Sequence, residues 1–310
     1  MVGAGGPRPG ARGRPGGGPV IVFCGYANLD VAARVPHLPR PDERVHASAV
    51  EHLPGGMAAN AAVAAARAGA RVAFAGVVGE DHLSERFLGE LEVEGVDTGW
   101  TERTAFLSTA VVLVDAEGRR AVVSQDDGLG PAHVAAAAER LAAQGGGILY
   151  VDGYRAASVA PAAAAGVVLA VDLDGCDDGD DALSAVRGAD HVVVGRRRLE
   201  RLLGHRGPDW AQLARTTRTH LLVTDGADGW QLFEPDGSVV PGPALPVAVV
   251  DDTGAGDCFA GTYLAGVDGG LPPLTAARRA GVAASLSCTV RGARGAPPPA
   301  DVDAVLASTA

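Results

Sequence analysis

The sequence has few aromatic residues, few cysteines and no long uninterrupted apolar run. Aromatic residues make up 4% of the 310 positions, so alanine and glycine must fill much of the core and the elements should pack closely. The four cysteines, at positions 24, 176, 258 and 288, include no Cys-x-x-Cys pair, which argues against a disulfide framework and against a zinc site. No stretch of about 18 uncharged apolar residues occurs, so we expect no membrane span.

Positive charge is also scarce. The chain has 26 basic and 37 acidic residues, which gives a formal net charge of −11. This excess of negative charge disfavours nucleic acid or an anionic membrane as the main partner, because their phosphates would be repelled. Residues 1–19 are rich in glycine, proline and arginine but lack the apolar core of a secretory signal, so we expect a disordered leader and a cytoplasmic protein.

Short apolar runs alternate with helical patterns along most of the chain. Six runs are typical of buried strands: residues 20–26, 71–77, 147–152, 167–173, 191–195 and 220–226. Helical patterns occupy residues 81–94, 131–143, 197–203, 209–217, 258–267 and 273–289. The alternation predicts one α/β domain over residues 20–310, with a mainly parallel sheet covered by helices on both faces.

Two segments interrupt this alternation. Residues 44–53 have the pattern of a strand that no helix follows, and residues 108–127 have the pattern of a hairpin. Together they predict a small separate sheet, formed at about 34–53 and 104–127, that acts as a lid over the carboxyl ends of the main strands. The alternative is that they are extra edge strands of the main sheet. Exposed edges and apolar faces on such a lid also predict a homodimer.

The run VVDDTGAGDCFAG (250–262) carries the main chemical signal. An apolar stretch at 245–250 predicts a strand before it and a helical pattern follows it, so the small residues would form a strand-to-helix turn. A helix start offers about four unpaired N–H donors with a partial positive charge, and Gly254 and Gly256 let an anion approach them. Asp257 can then take a proton from an attacking hydroxyl, although an N-cap is its alternative role.

This run resembles the C-terminal signature of the ribokinase-like (PfkB) family of carbohydrate kinases, written DTxGAGD, with Asp252 in place of the usual Thr. The resemblance implies that Asp257 is the catalytic base and that the backbone of Gly254, Ala255 and Gly256 forms the anion hole. It implies a ribokinase-like three-layer α/β/α sandwich with a small β-sheet lid. It also implies ATP and Mg²⁺ as cofactors, and it leaves open a monovalent cation such as K⁺.

The family's sugar-binding elements are similar to two stretches near the N-terminus, CGYANLD (24–30) and PGGMAANAAVAAARAG (54–69). These stretches contain Asn28, Asp30, Gly55, Gly56 and Asn60. The resemblance implies that Asp30 and Asn60 bond sugar hydroxyls while the two glycines let the ring lie against the backbone. Carboxylate and amide groups are suitable partners for a diol, although either residue alone is more often a turn or cap residue.

The stretch LLVTDGADGWQLF (221–233) is similar to the family's loop along the nucleotide. The resemblance implies cofactor contacts from Thr224, Gly226 and Gly229. The last helical pattern and the loop after it, at 285–295, are similar to the family's adenine-side border.

One departure from the family concerns Mg²⁺. Gly195 and Arg198 stand where the family commonly has its Asn-x-x-Glu motif, which helps to organise the ion. The three arginines at 196–198 either form a solvated helix start or contact the nucleotide phosphates through Arg196 or Arg198. The resemblance then leaves Mg²⁺ to the nucleotide, to water and to nearby acids, with Asp251 as the first candidate and Asp172 and Asp174 as alternatives.

These features predict an ATP- and Mg²⁺-dependent kinase that phosphorylates a primary hydroxyl of a sugar while the lid excludes water. The sequence leaves open whether the acceptor is a furanose, a keto-sugar, a sulfonated sugar or a ribonucleoside. The alternatives are a nucleoside kinase of the same family and a binding protein without turnover, the latter because the Asn-x-x-Glu motif is absent. A Rossmann dehydrogenase is disfavoured, because no GxGxxG turn follows the first strand.

Overall fold

The computed structural model describes residues 21–204 and 209–309. The leader expected at residues 1–19 lies outside this part of the chain. Within the described residues, thirteen strands form two sheets. The strands are β1 (Ile21–Cys24), β2 (Asn28–Arg34), β3 (Ala49–Gly55), β4 (Val72–Ala75), β5 (Val96–Asp97), β6 (Ser108–Val114), β7 (Arg120–Ser124), β8 (Ile148–Asp152), β9 (Val168–Asp172), β10 (His191–Gly195), β11 (His220–Thr224), β12 (Trp230–Phe233) and β13 (Val239–Gly242).

The larger sheet has nine strands in the order β13-β12-β11-β10-β9-β8-β1-β4-β5. Seven neighbouring strands of this sheet pair in parallel, in the order β5, β4, β1, β8, β9, β10 and β11. Strands β12 and β13 extend the sheet in antiparallel pairing. Each of the six strands predicted from apolar runs lies within its predicted run. Side chains of β1 alternate between two core layers, with Val22 and Cys24 on one face and Ile21 and Phe23 on the other. Both faces of the sheet are therefore buried.

Ten α-helices accompany the two sheets in the described residues: α1 (Met57–Arg67), α2 (His82–Val93), α3 (Pro131–Ala143), α4 (Val159–Ala162), α5 (Gly179–Gly188), α6 (Arg196–Leu203), α7 (Trp210–Thr217), α8 (Ala255–Asp268), α9 (Pro273–Ser287) and α10 (Pro299–Thr309). Helices α3 to α7 bury apolar residues against one face of the larger sheet, and α1, α2, α8 and α9 do so against the other. The predicted three-layer α/β/α sandwich is therefore confirmed. Among the described helices, none has the length and apolar character needed to cross a membrane.

The smaller sheet is separate from the larger one and has the order β3-β2-β6-β7. The alternative, in which its strands extend the main sheet, is wrong. Strand β2 pairs with β3 in antiparallel and with β6 in parallel orientation. The lid begins with β2 and not, as predicted, at about residue 34. Strand β2 has no strand pattern in the sequence, because the segment NLDVAAR lacks a run of β-branched or aromatic residues.

The strand predicted at 245–250 is wrong. Residues 243–249 belong to no strand or helix. Pro243 and Pro246 have no N–H to donate to a ladder, and Val249 and Val250 are exposed instead of packed in the core. The N–H of Val250 donates to the carbonyl of Cys288, at 2.8 Å. The DTGAGD run is thus approached by an extended segment that lies against the end of α9.

Small residues bring α1 and α8 into close contact. Gly261 of α8 faces α1, and a Cβ added to it would stand 2.1 Å from the carbonyl oxygen of Ala61 and 2.9 Å from the Cβ of Ala64. Alanine accounts for most buried positions of α1. This packing fixes the separation of the two helices that carry Asn60 and Asp257.

Candidate active site

Polar residues collect at the edge where the parallel strands of the larger sheet end. Asp152 ends β8 and pairs in register with Asp172 at the end of β9, while Gly195 ends β10 beside Thr224 at the end of β11. The first turn of α8 lies at this edge too, because a Cβ added to Gly256 would stand 3.7 Å from Oδ2 of Asp174, just beyond the end of β9. Ligands of open α/β sheets bind at the carboxyl ends of the strands, so this edge is the candidate site.

Gly254 turns the chain into α8. Its φ of 76° lies in the left-handed region, and an added Cβ would stand 2.3 Å from the carbonyl oxygen of Ala293. Glycine is therefore required for this turn. The helix starts at Ala255, Gly256 leaves its N-terminus without side-chain cover, and Asp257 follows in the first turn. The alternative role of Asp257 as the N-cap is wrong, since Gly254 is the N-cap residue.

Asp257 meets Asn60 across the α1–α8 contact. The Asn60 Nδ2 donates to Asp257 Oδ2 at 2.9 Å. Burial raises the pKa of Asp257 to about 7, and the negative charges of Asp174 and Asp152 add to the rise, while the Asn60 hydrogen bond opposes it. A carboxylate with a pKa near neutrality is matched to the work of a general base.

Asp152 is a further buried carboxylate of this site. The N–H of Tyr26 donates to Asp152 Oδ2 at 2.5 Å. Its Oδ1 is buried and has no hydrogen-bond partner among the described residues. Burial raises the pKa of Asp152 to about 7, and Asp127 adds to the rise, whereas the Tyr26 hydrogen bond and the charge of Arg155 lower it. An unsatisfied acceptor at a strand end is suited to a ligand donor such as a hydroxyl group.

Asp174 lies between the ends of β10 and α8. The N–H of Gly195 donates to Asp174 Oδ1 at 2.8 Å, and a Cβ added to Gly195 would stand 3.1 Å from the same oxygen. Asp174 Oδ2 lies 3.7 Å from the position of a Cβ on Gly256. Burial raises the pKa of Asp172 well above its usual range, and the neighbouring charge of Asp174 adds to the rise. Two carboxyl groups therefore lie beside the bare N-terminus of α8.

The five residues predicted to bind the sugar come together at the inner end of the lid. Asn28 pairs in register with Gly55 across β2 and β3, and its Nδ2 donates to Asp30 Oδ1 at 2.5 Å. A Cβ on Gly55 would stand 3.2 Å from Asp30 Oδ2. Gly56, with a φ of 95°, is the N-cap of α1 and leads to Asn60 one turn later. Burial raises the pKa of Asp30, against the effect of the Asn28 hydrogen bond.

Thr224, Gly226 and Gly229 lie close in sequence where β11 leads into the loop before β12. Thr224 is the last residue of β11, and Gly226 and Gly229 both have positive φ, at 55° and 90°. Asp225 of this loop forms an ion pair with Arg196 in the first turn of α6. Of the two candidate arginines, Arg196 is therefore the one joined to the predicted nucleotide loop.

Arg198 faces a different segment. Its Nη1 donates to the carbonyl oxygen of Cys176 at 2.9 Å and pairs with the carboxylate of Asp177. Both partners belong to the loop that follows β9. The chain contains no lysine. Arginine and histidine are therefore the only side chains that can offer a positive charge to a phosphate.

Asp251 is committed to backbone contacts. Its Oδ1 accepts from the N–H of Thr253 and its Oδ2 accepts from the N–H of Gly292, both at 3.0 Å. Partial burial acts to raise the pKa of Asp251, but these hydrogen bonds outweigh it and lower the pKa. In this structure Asp251 joins the glycine turn before α8 to the loop after α9.

The comparison with known families agrees with this geometry. The model of the pfkB family of carbohydrate kinases matches residues 20–300. The chain belongs to this family. The kinase is 31% identical over 293 residues to an ATP-dependent ribose-1-phosphate kinase of Halopiger xanaduensis, with 89% of this chain and 94% of the relative covered. It is 27% identical over 303 residues to a ribokinase of Bacillus subtilis, with 90% and 96% covered.

Solved structures show the same fold. The structure of Arabidopsis thaliana ribokinase complexed with ribose and ATP is similar with a TM-score of 0.78 at 24% identity, covering 93% of this chain and 98% of that chain. The kinase is therefore a phosphotransferase that acts on a sugar hydroxyl.

The residues beside the glycine turn fit a nucleotide-bound Mg²⁺. Among the described residues no group of three or more His, Cys, Asp or Glu side chains forms a self-sufficient metal site. Mg²⁺ needs less, because it keeps several waters and is bound by one or two carboxylates together with substrate phosphates. Asp174 and Asp172 supply such carboxylates, and their mutual repulsion is the kind of excess charge that a cation relieves. When bound, the ion neutralises charge on the transferred phosphoryl group.

Asp152 and Arg294 lie at or beside the site but were not predicted from the sequence. Asp152 had a readable signal, since it is the acid that ends a buried apolar run at the carboxyl end of a parallel strand. Arg294 had none, because it lies in a glycine- and proline-rich loop far in sequence from its partner Asn60.

Proposed function

We propose that the kinase transfers the γ-phosphate of ATP to a primary hydroxyl of a furanose or keto-sugar, with Asp257 as the general base. The observation that carries the proposal is the position of the Asp257 carboxylate. It lies in the first turn of α8, next to a backbone that only glycine can form, and its pKa is raised to about 7 chiefly by burial. A base near neutrality beside a helix N-terminus is the arrangement that in-line phosphoryl transfer requires.

The turn before Asp257 supplies the anion hole in this proposal. The N–H of Ala255 already donates to the carbonyl of Asp252 at 3.2 Å, which is a long hydrogen bond. The first-turn amides that follow, at Gly256 and Asp257, have no intrahelical acceptor by the geometry of an α-helix. They and the helix dipole can stabilise negative charge that develops on the phosphoryl oxygens.

The acceptor would lie between the lid and the base. Asn28, Asp30 and Asn60 offer amide and carboxylate groups for hydroxyls, and Asp152 adds an unsatisfied buried acceptor. We expect Thr224, Gly226 and Gly229 to border the nucleotide, with Arg196 closer to it than Arg198. Asp174 is our choice for the Mg²⁺ side of the site, because Asp251 is committed to two backbone donors.

A ribonucleoside is the second candidate acceptor. Tyr154 follows β8 and is 51% exposed, and its ring centroid lies 5.2 Å from that of Tyr26. Aromatic faces of this kind are stacking surfaces for a nucleobase.

A screen that couples ADP release to acceptor identity tests the proposal. We expect ADP release with at least one pentose, keto-sugar or ribonucleoside, and only in the presence of Mg²⁺. Replacing K⁺ by a larger monovalent cation in the same assay tests whether the reaction needs K⁺. ATP binding without ADP release for any acceptor would instead favour a binding protein without turnover.

The pH dependence of the reaction follows from the pKa of Asp257. The base must be ionised, and its pKa is raised to about 7, so kcat/KM should fall as the pH drops through about 7. A profile of kcat/KM from pH 5 to pH 9 measures this acid limb. An unperturbed aspartate would give a limb near pH 4 instead, and that result would remove Asp257 from the role of a desolvated base.

We propose that the kinase forms a homodimer through the lid. Strands β3, β6 and β7 expose three apolar side chains on one face of the lid, Val50, Val111 and Val123, and Val123 is 74% exposed. An exposed apolar sheet face of this kind marks an interaction surface. Light scattering should give about twice the 31.1 kDa of one chain, and Val123→Asp should reduce it to one chain. Val93→Asp, at an exposed site on α2, is the control, and equal dissociation of both variants would contradict the lid interface.

A further inference from the structure

Arg294 is a buried cation beside the site. Its side chain is 11% exposed, its guanidinium carbon lies 5.1 Å from the centroid of the Phe87 ring, and its Nη1 lies 3.9 Å from Glu90 Oε2. Burial lowers the pKa of Arg294 to about 10, although the charges of Glu90 and Glu94 act to raise it. Arginine is almost never buried unless it is paired, and a distance of 3.9 Å to Glu90 is a weak pairing. The burial of this guanidinium therefore calls for another partner.

That partner is Asn60. The Arg294 Nε donates to Asn60 Oδ1 at 3.3 Å, and the Asn60 Nδ2 donates to Asp257 Oδ2 at 2.9 Å. A guanidinium group can only donate hydrogen bonds, and an ionised carboxylate can only accept them. The amide between them is therefore satisfied in one orientation, with its oxygen toward Arg294 and its NH₂ group toward Asp257. The opposite orientation would set two oxygens against each other and two donors against each other.

We propose that Arg294 is a positioning residue for the base: it fixes the Asn60 amide so that its NH₂ group points at Asp257 and holds that carboxylate toward the acceptor. This inference rests on the proposed function of Asp257. Without Arg294 the amide can rotate, and the carboxylate loses a hydrogen bond that favours its ionised form.

The backbone at Arg294 is anchored independently of its side chain. Arg67 Nη1 donates to the carbonyl oxygens of Arg294, at 2.7 Å, and of Ala296, at 2.9 Å. The Arg67 guanidinium also forms two hydrogen bonds with the Glu94 carboxylate, at 2.6 and 2.8 Å. A change confined to the Arg294 side chain leaves these contacts intact, so variants at this position should keep the loop in place.

The charged and titratable groups around the pair favour positioning over ligand binding. Asn60 donates a hydrogen bond to Asp257, and the titratable groups that interact electrostatically with Asp257 include Asp152, Asp172, Asp174 and Tyr150. The groups that face Arg294 are Arg67, Glu90 and Glu94. Because two carboxylates already surround the guanidinium, an anionic part of an acceptor gains little there. The remaining effect of the cation is directed through the Asn60 amide.

The test is the pH profile of kcat for Arg294→Met and Arg294→Lys with the acceptor identified by screening. We expect the acid limb of Arg294→Met to move upward by about one pH unit, since a hydrogen bond to a charged group is lost. At pH 7 this corresponds to a loss of about three- to tenfold in kcat. Arg294→Lys retains a cationic donor and should shift the limb less. Arg86→Met is the matched control, because Arg86 pairs with Glu90 at 3.0 Å and has no contact with Asn60, so its limb should not move.

The double variant Asn60→Ala/Arg294→Met separates positioning from a purely structural role. If Arg294 acts through Asn60, adding Arg294→Met to Asn60→Ala should change neither kcat nor the acid limb further. Thermal unfolding of every variant reports on the fold. A loss of kcat in Arg294→Met without a shifted limb, or an equal loss in the Asn60→Ala background, would overturn the inference. If Asp257→Asn keeps the wild-type kcat, Asp257 is not the base and the proposed function is wrong. If Asp257→Asn is inactive but Arg294→Met has a wild-type pH profile, only the positioning role of Arg294 is wrong.

Discussion

Replacing Asp257 by asparagine is expected to lower kcat by about 10²–10⁴-fold, because the acceptor hydroxyl then has no group to take its proton. The change keeps the size of the side chain and its ability to accept from the Asn60 Nδ2, so the α1–α8 contact should persist. Steady-state ADP release with saturating acceptor and ATP measures the effect.

The matched control for this variant is Asp268→Asn. Asp268 ends the same helix, is partly buried and has a pKa that burial raises, but it lies at the opposite end from the site. We expect its kcat to stay within about twofold of wild type, as for substitutions away from specific interactions. If Asp257→Asn is as active as Asp268→Asn, another group is the base.

Replacing Gly254 by alanine is expected to lower kcat by about 10²–10³-fold, the cost of disturbing an anion hole. The new Cβ would stand 2.3 Å from the carbonyl oxygen of Ala293, so either the turn or the loop after α9 must move. The left-handed φ of 76° adds a strain of about 1–2 kcal/mol for a residue with a Cβ. Both effects shift the amides at the start of α8.

The control for Gly254→Ala separates the clash from the strain. Gly270 has a similar φ of 85°, and an added Cβ there has no neighbour within 4 Å among the described residues. Gly270→Ala should therefore lose about 1–2 kcal/mol of stability in thermal unfolding and keep its kcat. If Gly254→Ala keeps more than half of the wild-type kcat, the turn does not form the anion hole.

The fold could be predicted from the sequence to the extent that single elements carry their own patterns. The parallel strands are buried on both faces, so they appear as continuous apolar runs bounded by turn residues. The helix at 131–143 was predicted with its observed bounds, because Pro131 opens it and glycines follow it. By contrast, β2 forms a strand only because β3 and β6 pair with it on either side. These pairings join distant parts of the chain, so the local sequence of β2 does not predict them. The strand predicted at 245–250 is wrong for a local reason instead, since Pro246 has no N–H to donate to a ladder.

The sequence predicted which site residues lie together when they belong to the same turn. It predicted this less well when the residues come from different helices that pack together. Gly254 and Asp257 are separated by three positions, and their relation follows from the start of a helix. The contact of Asn60 with Asp257 depends instead on α1 and α8 packing through alanine and glycine, and the contact of Arg294 with Asn60 spans 234 positions. Asp251 is an acid near the turn whose carboxylate oxygens accept from backbone donors that the sequence does not reveal.

The most direct test of Asp257 as the base is a structure of the kinase with its acceptor and a non-hydrolysable ATP analogue. We predict that the hydroxyl to be phosphorylated lies within about 3 Å of an Asp257 carboxylate oxygen, in line with a γ-phosphate held against the free amides at the start of α8. An acceptor hydroxyl that faces another carboxylate, such as Asp152, with Asp257 turned away from it, would contradict this account.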